Sequence, residues 1–175
     1  MKEKDIILAY QQAHNANDVD LALSYMSPDI RFGMAGIWVK EGIEEVRALE
    51  SWDAALHSKI IFTDLKLRNR RLECSAKETN DWYQIVGIPE IRFDSIKYEF
   101  DKGTIRHIRA NMAHQSERLI DQAINKIMRW ALDAHPDEIN DIIPRGNFIY
   151  GHDQALRWKA LLEDWVKNRP PVEEE

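Results

Sequence analysis

The chain has 175 residues, 44% hydrophobic and 31% charged, with a formal net charge of -6 at pH 7. That length supports one well-buried core plus an extension and is short for two ordinary domains, while the acidic balance argues against the clustered basic surface of a nucleic-acid binder. The single cysteine, Cys74, allows no intrachain disulfide, no apolar run reaches the ~20 residues of a membrane span, and Met1-Lys2-Glu3-Lys4-Asp5 lacks the apolar core of a signal peptide, so a soluble cytoplasmic protein without membrane contact is expected.

The first helix is predicted over about Lys4 to Ala16, with Ile6, Tyr10 and Ala13 at helical spacing on its inward face. Asn17-Asp18 ends it and caps a short helix from Val19 to Tyr25, which Pro28 closes. Asp29 to Met34 alternates as a half-buried strand, and Ala35-Gly36 turns it into a short Ile37-Trp38-Val39 strand. A strongly amphipathic helix follows Gly42, its stripe formed by Ile43, Val46, Leu49, Trp52 and Leu56, with Glu44, Glu45 and Arg47 toward water.

Lys59 to Asn69 reads as a long strand with Ile61, Thr63, Leu65 and Leu67 on one face, and Leu72 to Thr79 as its antiparallel partner after an Arg70-Arg71 turn. The basic cluster of Arg68, Arg70 and Arg71 is expected to be a solvated turn. Asp81 to Pro89 breaks the alternation and reads as a helical or looped crossing before a strand from Glu90 to Phe100. In that strand the apolar positions change parity between Phe93 and Ile96, which requires a β-bulge near Asp94-Ser95. Asp101-Lys102-Gly103 then folds the chain into a hairpin whose second strand carries Ile105 and Ile108.

From Ser116 the pattern turns helical, with Leu119, Ile120, Ala123, Ile127, Trp130 and Ala131 on one side until His135-Pro136. A short helix around Asp137 to Ile142 follows. Asp153 is the expected N-cap of a last helix bearing Leu156, Trp158, Leu161, Leu162 and Trp165, and Pro170 to Glu175 is expected to fray.

This order of elements, with the runs YQQAHNANDVDLALSYMSPDIRF and GIEEVRAL and the YEF-DKG-TI hairpin, resembles the nuclear transport factor 2-like superfamily in its SnoaL-like and ketosteroid isomerase-like branch. The resemblance covers about Lys4 to Met112. It implies an α+β fold: a cone-shaped, strongly bent mixed β-sheet with N-terminal helices and one long helix packed on it. Residues 1–112 would form the cone and residues 113–175 a helical extension packed against it. It further implies an apolar cavity for a small ligand, and a homodimer formed through the outer sheet face.

The resemblance places Tyr10 where the isomerase branch has its oxyanion-stabilising tyrosine, but Met34 and Ile96 stand at the positions of its two acids. The Asp-Arg-Asp set of the epoxide hydrolase branch has an echo in Arg92-Phe93-Asp94, on the wrong strand and with Ala110 at the final aspartate position. A surface ion pair between Arg92 and Asp94 is the simpler reading. The residues themselves suggest a different centre. Leu72, Cys74 and Ala76 alternate inward, and the same period carries Glu78 and Asn80 into the cone, where low dielectric raises a carboxyl pKa. His14 follows Tyr10 by one helical turn. The expected site therefore combines Glu78, Tyr10 and His14 as proton-handling groups with Trp52, Trp82, Tyr98, Asn80 and Ile96 as ligand contacts.

The six histidines show no metal-ligand spacing, and no phosphate loop or dinucleotide fingerprint occurs, so no metal or cofactor is expected. Two functions remain open: a small apolar-molecule-binding protein with cofactor-independent acid-base chemistry of isomerase, cyclase or hydrolase type, or a non-catalytic dimerisation module with a side-chain-filled cone.

Overall fold

The computed structural model describes residues 1–169, so the tail expected to fray lies outside the described residues. Two helices, α1 (Glu3–Asn15) and α2 (Val19–Ser24), lead into β1 (Met26–Met34), β2 (Trp38–Glu41) and α3 (Ile43–Ala55). The hairpin β3 (Lys59–Arg68) and β4 (Arg71–Thr79) follows, then the one-turn α4 (Asp81–Ile85) and the hairpin β5 (Ile91–Asp101) and β6 (Thr104–Met112). Three further helices are α5 (His114–Ala134), α6 (Pro136–Ile142) and α7 (His152–Asn168), with a 3-10 turn at Pro144–Gly146. No helix among the described residues is long and apolar enough to cross a membrane.

The six strands form one open sheet in the order β2-β1-β6-β5-β4-β3. Only β1 and β6 run parallel; the other neighbours are antiparallel. Register shifts punctuate the sheet, including one between Phe93 and Ser95 where the parity of the apolar residues changes. Each such extra residue adds local twist, and together they bend the sheet into a half-cone. Both hairpins turn tightly: Asn69 and Arg70 (φ 49° and 62°), and Lys102 and Gly103 (φ 47° and 82°), all lie in the left-handed region that matches strand twist.

Several boundaries differ from the sequence reading for identifiable reasons. Pro28 does not close α2 but lies inside β1, in the stretch between Met26 and Arg31 where pairing with β6 slips, so its missing N–H costs no ladder bond. Ile37 is 48% exposed in the turn, and β2 begins one residue later. In β3 the odd-numbered apolar residues do not share one face: Ile61 is 58% exposed while Phe62 is buried, and past the register shift Leu65 packs on the core and Leu67 stands opposite buried Leu72. Asp64, with φ 55°, sits where the β3–β4 register shifts. Arg92 pairs with Glu90 at 2.6 Å instead of Asp94. Gly151, not Asp153, occupies the N-cap of α7, and Asp153 instead meets His152 in the first turn.

The core lies between the concave sheet face and the helices. Ile6, Ile7 and Tyr10 of α1, Val46, Trp52 and Leu56 near α3, and Leu72, Ile91, Tyr98 and Ile108 of the sheet are all buried. α7 packs against this unit through Trp158, fully buried, whose ring meets Trp82 at 5.6 Å and Phe148 at 5.1 Å edge-on. Lys159 of α7 also reaches the Asp81 carboxylate at 2.8 Å, and the same oxygen receives His57 Nδ1 at 2.8 Å.

Candidate functional site

A cavity of about 740 Å³ occupies the concave side of the sheet. The bent strands supply its back, α1 and α3 one flank, and the 143–150 segment another. α5 lies across its mouth: Ile120, Ile124 and Met128 line the space while Asp121 and Asn125 of the same helix are exposed. The serine expected to open that helix, Ser116, is buried within it and accepts a hydrogen bond from the Arg92 backbone N–H at 2.9 Å, fastening the helix to β5.

All eight residues expected at the site, Glu78, Tyr10, His14, Trp52, Trp82, Tyr98, Asn80 and Ile96, line this cavity. Their mutual geometry differs from the pairing expected of Tyr10 with Glu78. Tyr10 donates its hydroxyl proton to Glu50 Oε1 at 2.6 Å, so that proton is committed within the wall. The other Glu50 oxygen lies 2.9 Å from His14 Nδ1. His14 Nε2 approaches Ser58 Oγ at 3.3 Å, and Ser58 donates to Glu78 Oε1 at 2.9 Å. Because Ser58 spends its proton on Glu78, it receives one from His14, and both imidazole nitrogens then act as donors, as only the imidazolium can. Asn80 caps α4 by accepting the Tyr83 N–H at 2.9 Å.

The electrostatics agree with this proton count. Burial alone would lower the His14 pKa, but the Glu50 carboxylate beside it prevails and holds the imidazole up at about 9. Burial likewise opposes ionisation of Glu50, and His14 outweighs it, leaving the carboxyl below its ordinary value. Glu50 and His14 thus form a buried ion pair, 4% and 7% exposed.

Two further carboxyls behave in the opposite way. Asp53 is raised well above the ordinary carboxyl range, by burial first and then by the negative charge of Glu78. Glu78 is raised by burial, against the pull of His14 and of the Ser58 hydrogen bond. By accessible surface both are only half-buried, but both line the cavity, and the surface they keep is cavity wall. Glu78 is held by Ser58; the Asp53 carboxyl has no hydrogen-bond partner among the described residues. Two carboxyls with different support in one apolar space separate into a more readily ionised and a more readily protonated member.

The sequence reading missed Glu50 and Asp53. The signal was present, since Val46, Glu50 and Asp53 are spaced i, i+4 and i+7, which sets both carboxylates inside the apolar stripe of α3. No group of three or more His, Cys, Asp or Glu side chains among the described residues is placed to hold a metal ion.

The same fold recurs in solved structures. An NTF2-like protein of unknown function from Cytophaga hutchinsonii superposes with a TM-score of 0.55 at 14% identity, over 66% of this chain and 93% of that one. The chain has the nuclear transport factor 2-like fold. The epoxide hydrolase/cyclase-like enzyme SalBIII, with a role in pyran ring formation in the polyether salinomycin, matches with a TM-score of 0.55 at 16% identity over 65% of this chain and 92% of its own. TerC, co-crystallised with polyporic acid, matches at 0.53 and 15% identity over 67% of this chain and 96% of its own. No family model and no curated protein matches the sequence. At such identities the likeness concerns the fold, and the chemistry has to be argued from the cavity.

Proposed function

We propose that this protein encloses a small, largely apolar molecule in the cone and moves a proton to or from it through the Asp53–Glu78 carboxyl pair. The observation that carries the reading is two cavity-wall carboxyls, both raised above their ordinary values, in a space large enough for a drug-sized molecule. Glu78, supported by Ser58 and the nearby His14 cation, is the acceptor. Asp53, without such support, keeps its proton longer and is the donor. Proton transfer of this kind serves isomerisation, cyclisation or hydrolysis, and the fold is shared with an epoxide hydrolase/cyclase-like enzyme. The alternative of a module whose cone is filled by its own side chains is disfavoured by the roughly 740 Å³ left open.

Two measurements test this. The neutral dye Nile red should bind one per chain with blue-shifted emission, and Ala110→Trp, which plugs the cavity from β6, should abolish binding; a wild-type protein that leaves the dye in water refutes the enclosure. Carboxyl-carbon NMR should find Asp53 or Glu78 titrating above the ordinary range of about 3.9 to 4.3. Ordinary titration of both would end the proton-transfer role.

A further inference from the structure

Resting on that reading of the cavity, we infer that the polar end of its ligand is a basic nitrogen, which takes the proton of the Asp53–Glu78 pair and is held between them as an ammonium. The first ground is the charge of the wall. Asp53, Glu78, Glu117 and Asp121 all line the cavity, and no lysine or arginine does. Its one cationic group, His14, is already paired with Glu50 at 2.9 Å. Asp53 and Glu78 therefore face the open space with no cation beyond His14, which is already committed to Glu50, and the Asp53 carboxyl lacks even a hydrogen-bond donor among the described residues.

The second ground is what such a wall does to developing charge. An oxyanion forming beside the ionised Glu50 and Glu78 would be repelled, and the Tyr10 hydroxyl is turned onto Glu50 instead of the open space. The phenols of the wall already register this field. Burial first, and then Glu78 and Asp53, hold Tyr83 above its ordinary value. Tyr150 is pushed up to about 12, mainly by burial, with Asp53 and Glu78 adding to it. A positive charge experiences the reverse. It is attracted by both carboxyls and by aromatic surface, which Trp52, Trp82, Tyr83 and Tyr150 supply, Trp52 meeting Tyr150 at 5.2 Å and Trp82 meeting Tyr83 at 4.8 Å.

The step is balanced. A neutral amine accepts the proton of Asp53, the N–H bond forms as the O–H bond breaks, and an ammonium facing two carboxylates replaces an amine facing one carboxylate and one acid. The summed charge of site and ligand is unchanged, so no additional counter-ion has to be buried.

Calorimetry with three probes of one ring frame, naphthylmethylamine, naphthylmethanol and naphthoate, tests the inference on the intact chain. The amine should bind about tenfold or more tighter than the alcohol, and naphthoate should bind weakest. In the near-isosteric Asp53→Asn/Glu78→Gln double variant that preference should disappear while alcohol binding persists. An alcohol that binds wild-type protein as tightly as the amine overturns the assignment of a nitrogen ligand and leaves the enclosing cavity intact. An amine preference that survives the double variant overturns the role of the pair. Failure of all three probes to bind overturns both the ligand class and the cavity reading beneath it. Should the variant fail to fold, the amine-to-alcohol ratio on wild-type protein still decides.

Discussion

Replacing Glu50 by glutamine removes one charge from the His14–Glu50 pair while keeping an amide oxygen for the Tyr10 hydroxyl. In the folded chain the imidazole is held at about 9 against 6.5 when free, so near pH 7 the folded state gains about 2 to 3 kcal/mol from holding that proton. Removing one partner of a buried pair costs about 3 to 5 kcal/mol when the other must stay charged. Histidine can shed its proton, which sets the expected loss near the lower end, at about 3 kcal/mol. A raised histidine pKa stabilises fully below the unfolded value and loses its effect as pH rises through the folded one. Glu50, with a lowered pKa, loses its contribution as pH falls below the ordinary carboxylate range. The gap between wild type and Glu50→Gln should therefore be widest from about pH 5 to pH 7 and close toward about pH 10. Urea unfolding across that range measures it. A gap below about 1 kcal/mol near pH 7, or one that stays flat from about pH 6 to pH 10, would show that the pair does not hold a proton in the folded state.

Asp53→Asn should act in the opposite direction: because the Asp53 pKa is raised on folding, folding near neutral pH requires proton uptake, so the variant should melt higher at about pH 8 and converge with wild type below about pH 4. A lower melting temperature at about pH 8 would contradict the buried-acid assignment. Trp158→Ala opens a void against Trp82 and Phe148 and should cost about 3 to 5 kcal/mol, seen as an early denaturation midpoint, so that removing residues 113–175 leaves an aggregating remainder. A soluble truncated product with an unchanged melting temperature would show that the extension is independent of the cone. We propose a homodimer through the outer sheet face, where Ile61, paired across the ladder with exposed Lys77, is 58% exposed. Light scattering should give twice the chain mass at micromolar concentration and Ile61→Asp should dissociate it, whereas a monomeric wild type rejects the interface.

Periodicity in the sequence was sufficient for the elements. Alternation in Leu72 to Ala76, the parity change between Phe93 and Ile96, and helical spacing through Trp52 and Leu56 are local properties of a polymer whose side chains must find one buried face. The same alternation carried Glu78 to the cavity wall. What the tertiary structure decided was the proton traffic. Tyr10, His14, Glu50, Ser58 and Glu78 come from α1, α3, the loop after it and β4, and their hydrogen bonds span 20 to 44 positions of sequence. Which oxygen receives the Tyr10 proton depends on how closely α1 and α3 approach across the cone, a distance that no local pattern encodes. Asp53 shows the division most clearly. Its place in an apolar stripe can be read from spacing, but its raised pKa exists only because folding brings Glu78 from another element beside it and removes the water that would have screened the two.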